Sequence, residues 1–369
     1  MTGDKGIMQT GQLAEHSGIE EKTRVFIIDD SPMMCRVMEK ILTDDPSIEV
    51  TGHALSGKEA LMSLPSTKCD VCTLDVHMPG MNGISVLKHI MIKFPRPTLM
   101  VSAFTADGSK ITFESLRYGA VDFFQKPSHK VGEDLMAQAH ILRERVKRAA
   151  RVQVGAARYL RLKPVFSKVS VPAAESSGAF PNGLVILNSS TGGYSALLSL
   201  LPGMTTPPEV PIVVSLGTPI SYLDAFVNYL NGFVPFEVMR GKNNDKLISG
   251  RVYVISAQES AALEQRGDSL CLLLGERQDL SDDEGALDLL LFSASELFGP
   301  DALAVFLSGD EAKGLSGAKE VLRNGGKLIV QESSTCLSSE FPDKVVTHVD
   351  ATSRSIGEIS KILSNWTGE

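Results

Sequence analysis

Five residues suited to phosphoryl chemistry follow successive apolar runs in the first third of the chain. Asp29 and Asp30 follow RVFII, and Asp75 follows VCTL. Ser102 closes PTLMVS, and Lys126 follows VDFFQ, just before Pro127. Carboxylates at neighbouring strand ends can hold a hard divalent cation such as Mg²⁺, which prefers oxygen ligands. Asp75 can then act as a nucleophile and form an acyl phosphate. A hydroxyl at Ser102 and an ammonium at Lys126 can grip the new phosphate oxygens. A single aspartate after a strand is usually a cap or turn residue. Five compatible residues at the ends of four such runs read as a site.

A second candidate lies in NSSTGG, residues 188–193, between the strand-like LVIL and a helical run. Ser190 on a tight strand-to-helix turn would be exposed, as a nucleophile must be. Its two glycines could let the backbone approach a substrate, and helix N-terminal amides could stabilise an anion. A small-residue turn with no chemistry fits the same letters.

These residues need elements to position them. Strand-like and helical segments alternate five times between RVFIIDD and VDFFQKPS, which predicts a doubly wound parallel sheet. Such sheets collect chemistry at the C-terminal ends of their strands. Residues 1–22 read as a tail, 23–130 as the first α/β domain, and 131–182 as a charged helix followed by a flexible linker. A second α/β pattern fills 183–366, where RVYVISA and SLCLLLGE suggest strands with a hairpin between them.

Composition narrows the function classes. At 369 residues, 43% hydrophobic and 22% charged, the chain has apolar mass for two cores. A formal net charge of −8, with no basic stripe, argues against nucleic acid as a partner. No run of 18 apolar residues is present, and the polar start lacks a signal-peptide core, so neither membrane insertion nor secretion is expected. Cys35, Cys69, Cys72, Cys271 and Cys336 are odd in number and scattered, which suggests reduced thiols and a cytoplasmic protein. Cys69 and Cys72 form a CxxC with nothing to complete a zinc site, so both read as structural.

The stretches IIDDSPMM, TLDVHMPGMNG, MVSA and QKPS resemble the response-regulator receiver family, from Arg24 to Ser128. With the helix RERVKRAAR and then NSSTGG, the chain looks like the chemotaxis receptor methylesterase family from Arg24 to about Leu363. FLSGDEAKGLSGAKEVLRNGG, QESSTCLSSEFP and LISGRVYVISA add to the likeness. The resemblance implies a flavodoxin-like receiver followed by a Rossmann-like methylesterase domain. It implies phosphorylation of Asp75 by a histidine kinase of a chemosensory system. Mg²⁺ would be held by Asp30 and Asp75, with Asp29 assisting and the carbonyl of His77 completing the site. Phe123 takes the aromatic switch position and Ser190 the nucleophile position. The family removes methyl esters from glutamates of chemoreceptors and deamidates glutamines there, and its resting receiver covers the esterase cleft.

The likeness fails where the esterase needs its other catalytic groups. The general-base histidine of the family stands in a QHMP stretch, which here reads LGTP and puts Gly217 at that position. Its orienting aspartate becomes Lys313 in SGDEAKG, and SDDEGALDLLL replaces an arginine-rich segment. The expectation is a vestigial esterase domain that binds receptors, adaptors or the kinase under phosphorylation control, or that serves as a phosphate sink. The rival is an active methylesterase or deamidase in which Gly217 leaves space and Lys313 reaches Ser190; a hydrolase for another substrate is a third reading. Asp310 and Glu311 would oppose the lowered lysine pKa the rival requires. His348, the only histidine after the linker, is a remote candidate for a substitute base.

Overall fold

The computed structural model describes residues 22–102, 106–126, 132–152, 162–165, 180–276, 284–310 and 313–368; for 106–110 and 132–137 it describes the backbone alone. All of the expected tail at 1–22 except Lys22, most of the expected flexible linker, Pro127, Ser128 and Glu311 lie outside the described residues.

The first sheet is parallel and runs in the order β2-β1-β3-β4-β5. Its strands are β1 (Thr23–Ile28), β2 (Ile48–Ala54), β3 (Val71–Asp75), β4 (Thr98–Ser102) and β5 (Asp122–Gln125). Helices α1 (Pro32–Thr43), α2 (Gly57–Ser63), α3 (Gly83–Lys93), α4 (Ala106–Arg117) and α5 (Gly132–Ala150) join and follow them. Helix α1 starts where the letters say it should: Ser31 accepts a hydrogen bond from the Met34 amide at 3.2 Å, and Pro32 takes the first helical position. The chain reverses direction across the sheet between β1 and β3, so Asp29 and Asp75 meet at its switch point.

Helix α5 packs on the first sheet. Ala139, Leu142, Val146 and Ala149 recur at helical spacing, are buried, and pack with Val25, Ile27, Leu99 and Val101 of the first sheet. The helical first part of the segment read as linker therefore packs into the first domain's core.

The second sheet is also parallel, with order β15-β14-β13-β6-β7-β10-β8. It comprises β6 (Leu184–Ser189), β7 (Ile212–Leu216), β8 (Glu237–Arg240), β10 (Arg251–Ser256), β13 (Ala302–Phe306), β14 (Lys327–Gln331) and β15 (Thr352–Arg354). Strands β9 (Asp245–Leu247), β11 (Glu259–Arg266) and β12 (Ser269–Glu276) form an antiparallel sheet in which β11 and β12 make a hairpin; of the two strands expected there, SLCLLLGE is β12, whereas RVYVISA is β10 of the parallel sheet. Around the sheets lie α6 (Gly193–Leu200), α7 (Ile220–Leu230), α8 (Ala286–Phe298), α9 (Leu315–Arg323), α10 (Glu340–His348) and α11 (Ile356–Asn365). Strands β6 and β13 are direct neighbours, with Asn188 opposite Phe306, so the loops after them emerge side by side at this sheet's switch point.

The two domains share one apolar cluster. Phe113 of α4 and Phe123 of β5, both essentially fully buried, meet Tyr194 of α6 and Phe226 of α7. Ring centroids lie 5.0 Å apart for Phe123–Tyr194 and 5.3 Å apart for Phe113–Phe226, within the range of favourable aromatic pairing.

Candidate functional site

At the first site, the Lys126 ammonium sits between Asp29 Oδ2 at 2.7 Å and Asp75 Oδ2 at 2.8 Å. Both carboxylates are buried. Burial raises the pKa of Asp75, against the lowering effect of Lys126. Burial alone would lower the ammonium's pKa, but its bonds to Asp29 and Asp75 outweigh this and hold it raised. The Lys126 amide donates to the Ser102 carbonyl at 2.8 Å, which joins the ends of β4 and β5. The His77 amide donates to Asp75 Oδ1 at 3.1 Å. Gly83 opens α3 against the Asp75 carbonyl, so close that a Cβ there would lie 2.1 Å from the oxygen. That contact explains the glycine in TLDVHMPGMNG. Oxygens of Asp29, Asp30 and Asp75 all lie within 4.8 Å of one another, a hard donor set that suits Mg²⁺.

At the second site, Ser190 lies after β6 and Asp310 after β13. The Ser190 hydroxyl donates to Asp310 Oδ1 at 3.0 Å and accepts from the Asp310 amide at 2.9 Å. Thr191 Oγ1 donates to the same carboxylate oxygen at 2.9 Å. From the first domain, Arg148 of α5 places Nε 3.1 Å from Asp310 Oδ2. These groups line a cleft of about 500 Å³ between the domains. Asp122, His140 and Arg145 line it from one side, and Gly217, Gln258 and Lys313 from the other. Arg145 pairs with Asp122 at 3.2 Å and donates to the Phe123 carbonyl, which ties α5 to β5. Burial raises the Asp122 pKa against the effect of Arg145.

Several expectations change here. Gly217 leaves no space: a Cβ on it would stand 2.8 Å from Ser190 Cα and 2.9 Å from Ser190 Cβ. Lys313 lines the cleft, but the side chain touching the Ser190 hydroxyl is Asp310. His348 is exposed at the end of α10, its Nδ1 2.8 Å from the Lys344 carbonyl, and does not reach the cleft. The glycines of STGG serve packing. Gly192 adopts φ +85°, and a Cβ there would meet Ser308 Oγ at 2.6 Å. Sequence reasoning missed the roles of Asp310 and Arg148, and the place of His140 in the cleft wall. His140 stands eight residues before Arg148, about 12 Å along the helix.

Comparison with known proteins joins the two sites. Residues 25–139 match the response regulator receiver domain, and residues 185–363 match the CheB methylesterase family. A protein-glutamate methylesterase/protein-glutamine glutaminase of Thermotoga maritima is 31% identical over 323 residues, covering 88% of this chain and 92% of its own. The protein of the same name from Pyrococcus abyssi is 30% identical, covering 88% of each chain. The chain belongs to the CheB methylesterase family. The solved response regulator domain of Thermotoga maritima CheB is 40% identical over 36% of this chain and 99% of its own, with a TM-score of 0.33. Within the CheB architecture, Asp29, Asp30, Asp75, Ser102, Phe123 and Lys126 belong to the receiver, and Ser190 and Lys313 to the methylesterase domain. All five cysteines are free and buried. Among the described residues no helix is long and apolar enough to cross a membrane.

Proposed function

We propose that this chain is a cytoplasmic response regulator of a chemosensory pathway, phosphorylated at Asp75 by a histidine kinase, whose methylesterase-type cleft binds a partner instead of hydrolysing esters. The observation carrying this reading is the surroundings of Ser190. Its hydroxyl is held by a carboxylate, and Gly217, at the family's base position, lies against the Ser190 Cα and Cβ. A serine needs a base to become a useful nucleophile. As a class, carboxylates are weaker bases than imidazoles by about 2 pKa units. Loss of a triad member costs on the order of 10⁴-fold in turnover, and here two family positions hold Gly217 and Lys313. A Ser190–Lys313 dyad draws no support from the contacts of the hydroxyl.

In the receiver, Asp75 is the phosphoacceptor, Lys126 and Ser102 hold the phosphate oxygens, and Phe123 relays the change. Asp29, Asp30 and Asp75 would hold Mg²⁺, which neutralises charge on the incoming phosphoryl group. The partner is a chemoreceptor, an adaptor or the kinase itself, and the receiver also drains phosphoryl groups from that kinase.

Two assays test this. The chain, phosphorylated with acetyl phosphate, is incubated with methylated receptor, and methanol release is followed beside a Ser190→Ala variant. Equal, background-level release is expected; release that the variant abolishes overturns the binding reading. Asp75→Asn is expected to eliminate acid-labile phosphate, and its persistence would move the acceptor elsewhere.

A further inference from the structure

We propose that the cleft recognises a guanidinium. Asp310 binds an arginine side chain of the partner protein in the place that the receiver's own Arg148 occupies while the domains are docked. The inference rests on the binding reading above and names the partner's chemistry. Asp310 is 10% exposed, and Ser190 and Thr191 both donate to its Oδ1. The two hydroxyls fix the carboxylate's orientation and leave Oδ2 facing the cleft, where Arg148 meets it. That guanidinium is itself 53% exposed and comes from the other domain, so it leaves when α5 leaves. The result is a pre-oriented anion with a vacated cation position.

Guanidinium fits this position better than ammonium. It is more weakly hydrated, so it loses less on entering, and its planar fork matches a carboxylate. Gly217, Thr218 and Gln258 give one wall a small or uncharged stretch beside Lys313, while Asp122 and Glu144 add negative charge next to Arg145 on the opposite wall. Docked and partner-bound states exclude each other, because both cations require Oδ2. Tethered Arg148 competes at an effective concentration on the order of millimolar. A partner arginine with a weaker intrinsic contact is therefore shut out until the receiver is phosphorylated.

The test uses the full chain and three labelled pentapeptides, Gly-Ser-X-Ser-Gly, with X arginine, lysine or citrulline, followed by fluorescence anisotropy. Arg148→Ala, and wild type treated with acetyl phosphate, should bind the arginine peptide at least tenfold more tightly than resting wild type. Citrulline has the shape without the charge and should bind at least tenfold more weakly than arginine, with lysine between them. Asp310→Asn should erase the difference between peptides. Equal binding of arginine and citrulline peptides by Arg148→Ala overturns the proposal, as does absence of saturable arginine binding. The citrulline comparison changes the probe and not the protein, so it stays decisive even if Asp310→Asn fails to fold. Ser190-dependent methanol release would defeat the binding reading by itself, whichever peptide binds.

Discussion

Placing a histidine at position 217 should damage the protein and restore no esterase. An ordinary contact distance begins near 3.4 Å, and a Cβ at Gly217 would lie 2.8 Å from Ser190 Cα, so the two loops must separate by 0.6 Å (3.4 − 2.8). The Gly217 amide is pinned to the Ser189 carbonyl at 2.8 Å, and Ser256 bonds the Thr218 carbonyl. Separation therefore strains both bonds. Overpacking of this size costs about 1–3 kcal/mol. For a domain the size of residues 184–368, each kcal/mol shifts Tm by about 2–4 °C, which gives a fall of about 2–12 °C. The clash arises at Cβ, so Gly217→Ala should fall as well. The backbone at Gly217 does not have positive φ, so φ strain does not contribute. Differential scanning calorimetry of wild type, Gly217→Ala and Gly217→His measures the shift, and methanol release from methylated receptor measures chemistry. Two results would refute the reasoning: alanine and wild type melting within about 1 °C of each other, or Ser190-dependent release by Gly217→His.

Phe123→Ala should cost about 3–5 kcal/mol and weaken the shared aromatic core, splitting one thermal transition into two; a single unshifted transition in a calorimetric scan would count against that core. The Asp45 carboxyl is held down to about 2, first by the Ser47 hydroxyl at 2.6 Å and also by Lys147 at 3.1 Å. Its folded pKa lies below the ordinary 3.8, so its contribution is present above that pH and lost as pH falls through about 2. Ser47→Ala should move the carboxyl upward in an NMR titration, and an unchanged midpoint would contradict the assignment. Ser102→Ala should still accept phosphate at Asp75 but open the interface less than wild type, as reported by fluorescence transfer between labels on α2 and α8; equal opening would remove Ser102 from the switch.

Much of the fold was legible because β/α alternation writes itself into the letters. The apolar runs ending at Asp29, Asp75, Ser102 and Lys126 are strands buried on both faces, and their ends necessarily gather on one edge. Helix α5 was legible as amphipathic, but periodicity does not say against what a helix packs. Only the contacts of Leu142 and Val146 with the first sheet decide that. Asp310 was missed because it lies 120 residues from Ser190, and the family likeness directs attention to Lys313, three residues later. The contact at Gly217 depends on tenths of an ångström between two loops, which no spacing rule encodes.

Several connections between the two sites pass through β5, a strand of four residues. Lys126 follows it and is held by Asp29 and Asp75. Phe123 within it enters the aromatic cluster, and Gln125 accepts from the Tyr222 hydroxyl at 3.3 Å. Asp122 and the Phe123 carbonyl hold Arg145, and so α5 and Arg148. A displacement of β5 therefore acts on the aromatic cluster and on the guanidinium at Asp310 together. Shifting a docked population from 1:99 to 99:1 requires about 5.5 kcal/mol of differential binding. Charge-assisted hydrogen bonds contribute about 1.5–3 kcal/mol each, so under the proposed phosphorylation of Asp75 contacts at Lys126 and Ser102 would supply at most about 3–6 kcal/mol, the one at Lys126 replacing a bond it already makes to Asp75. The two figures overlap only at the upper end. Both contacts are thus needed for a complete switch, and a single surviving one leaves the cleft mostly closed, with Arg148 still in place.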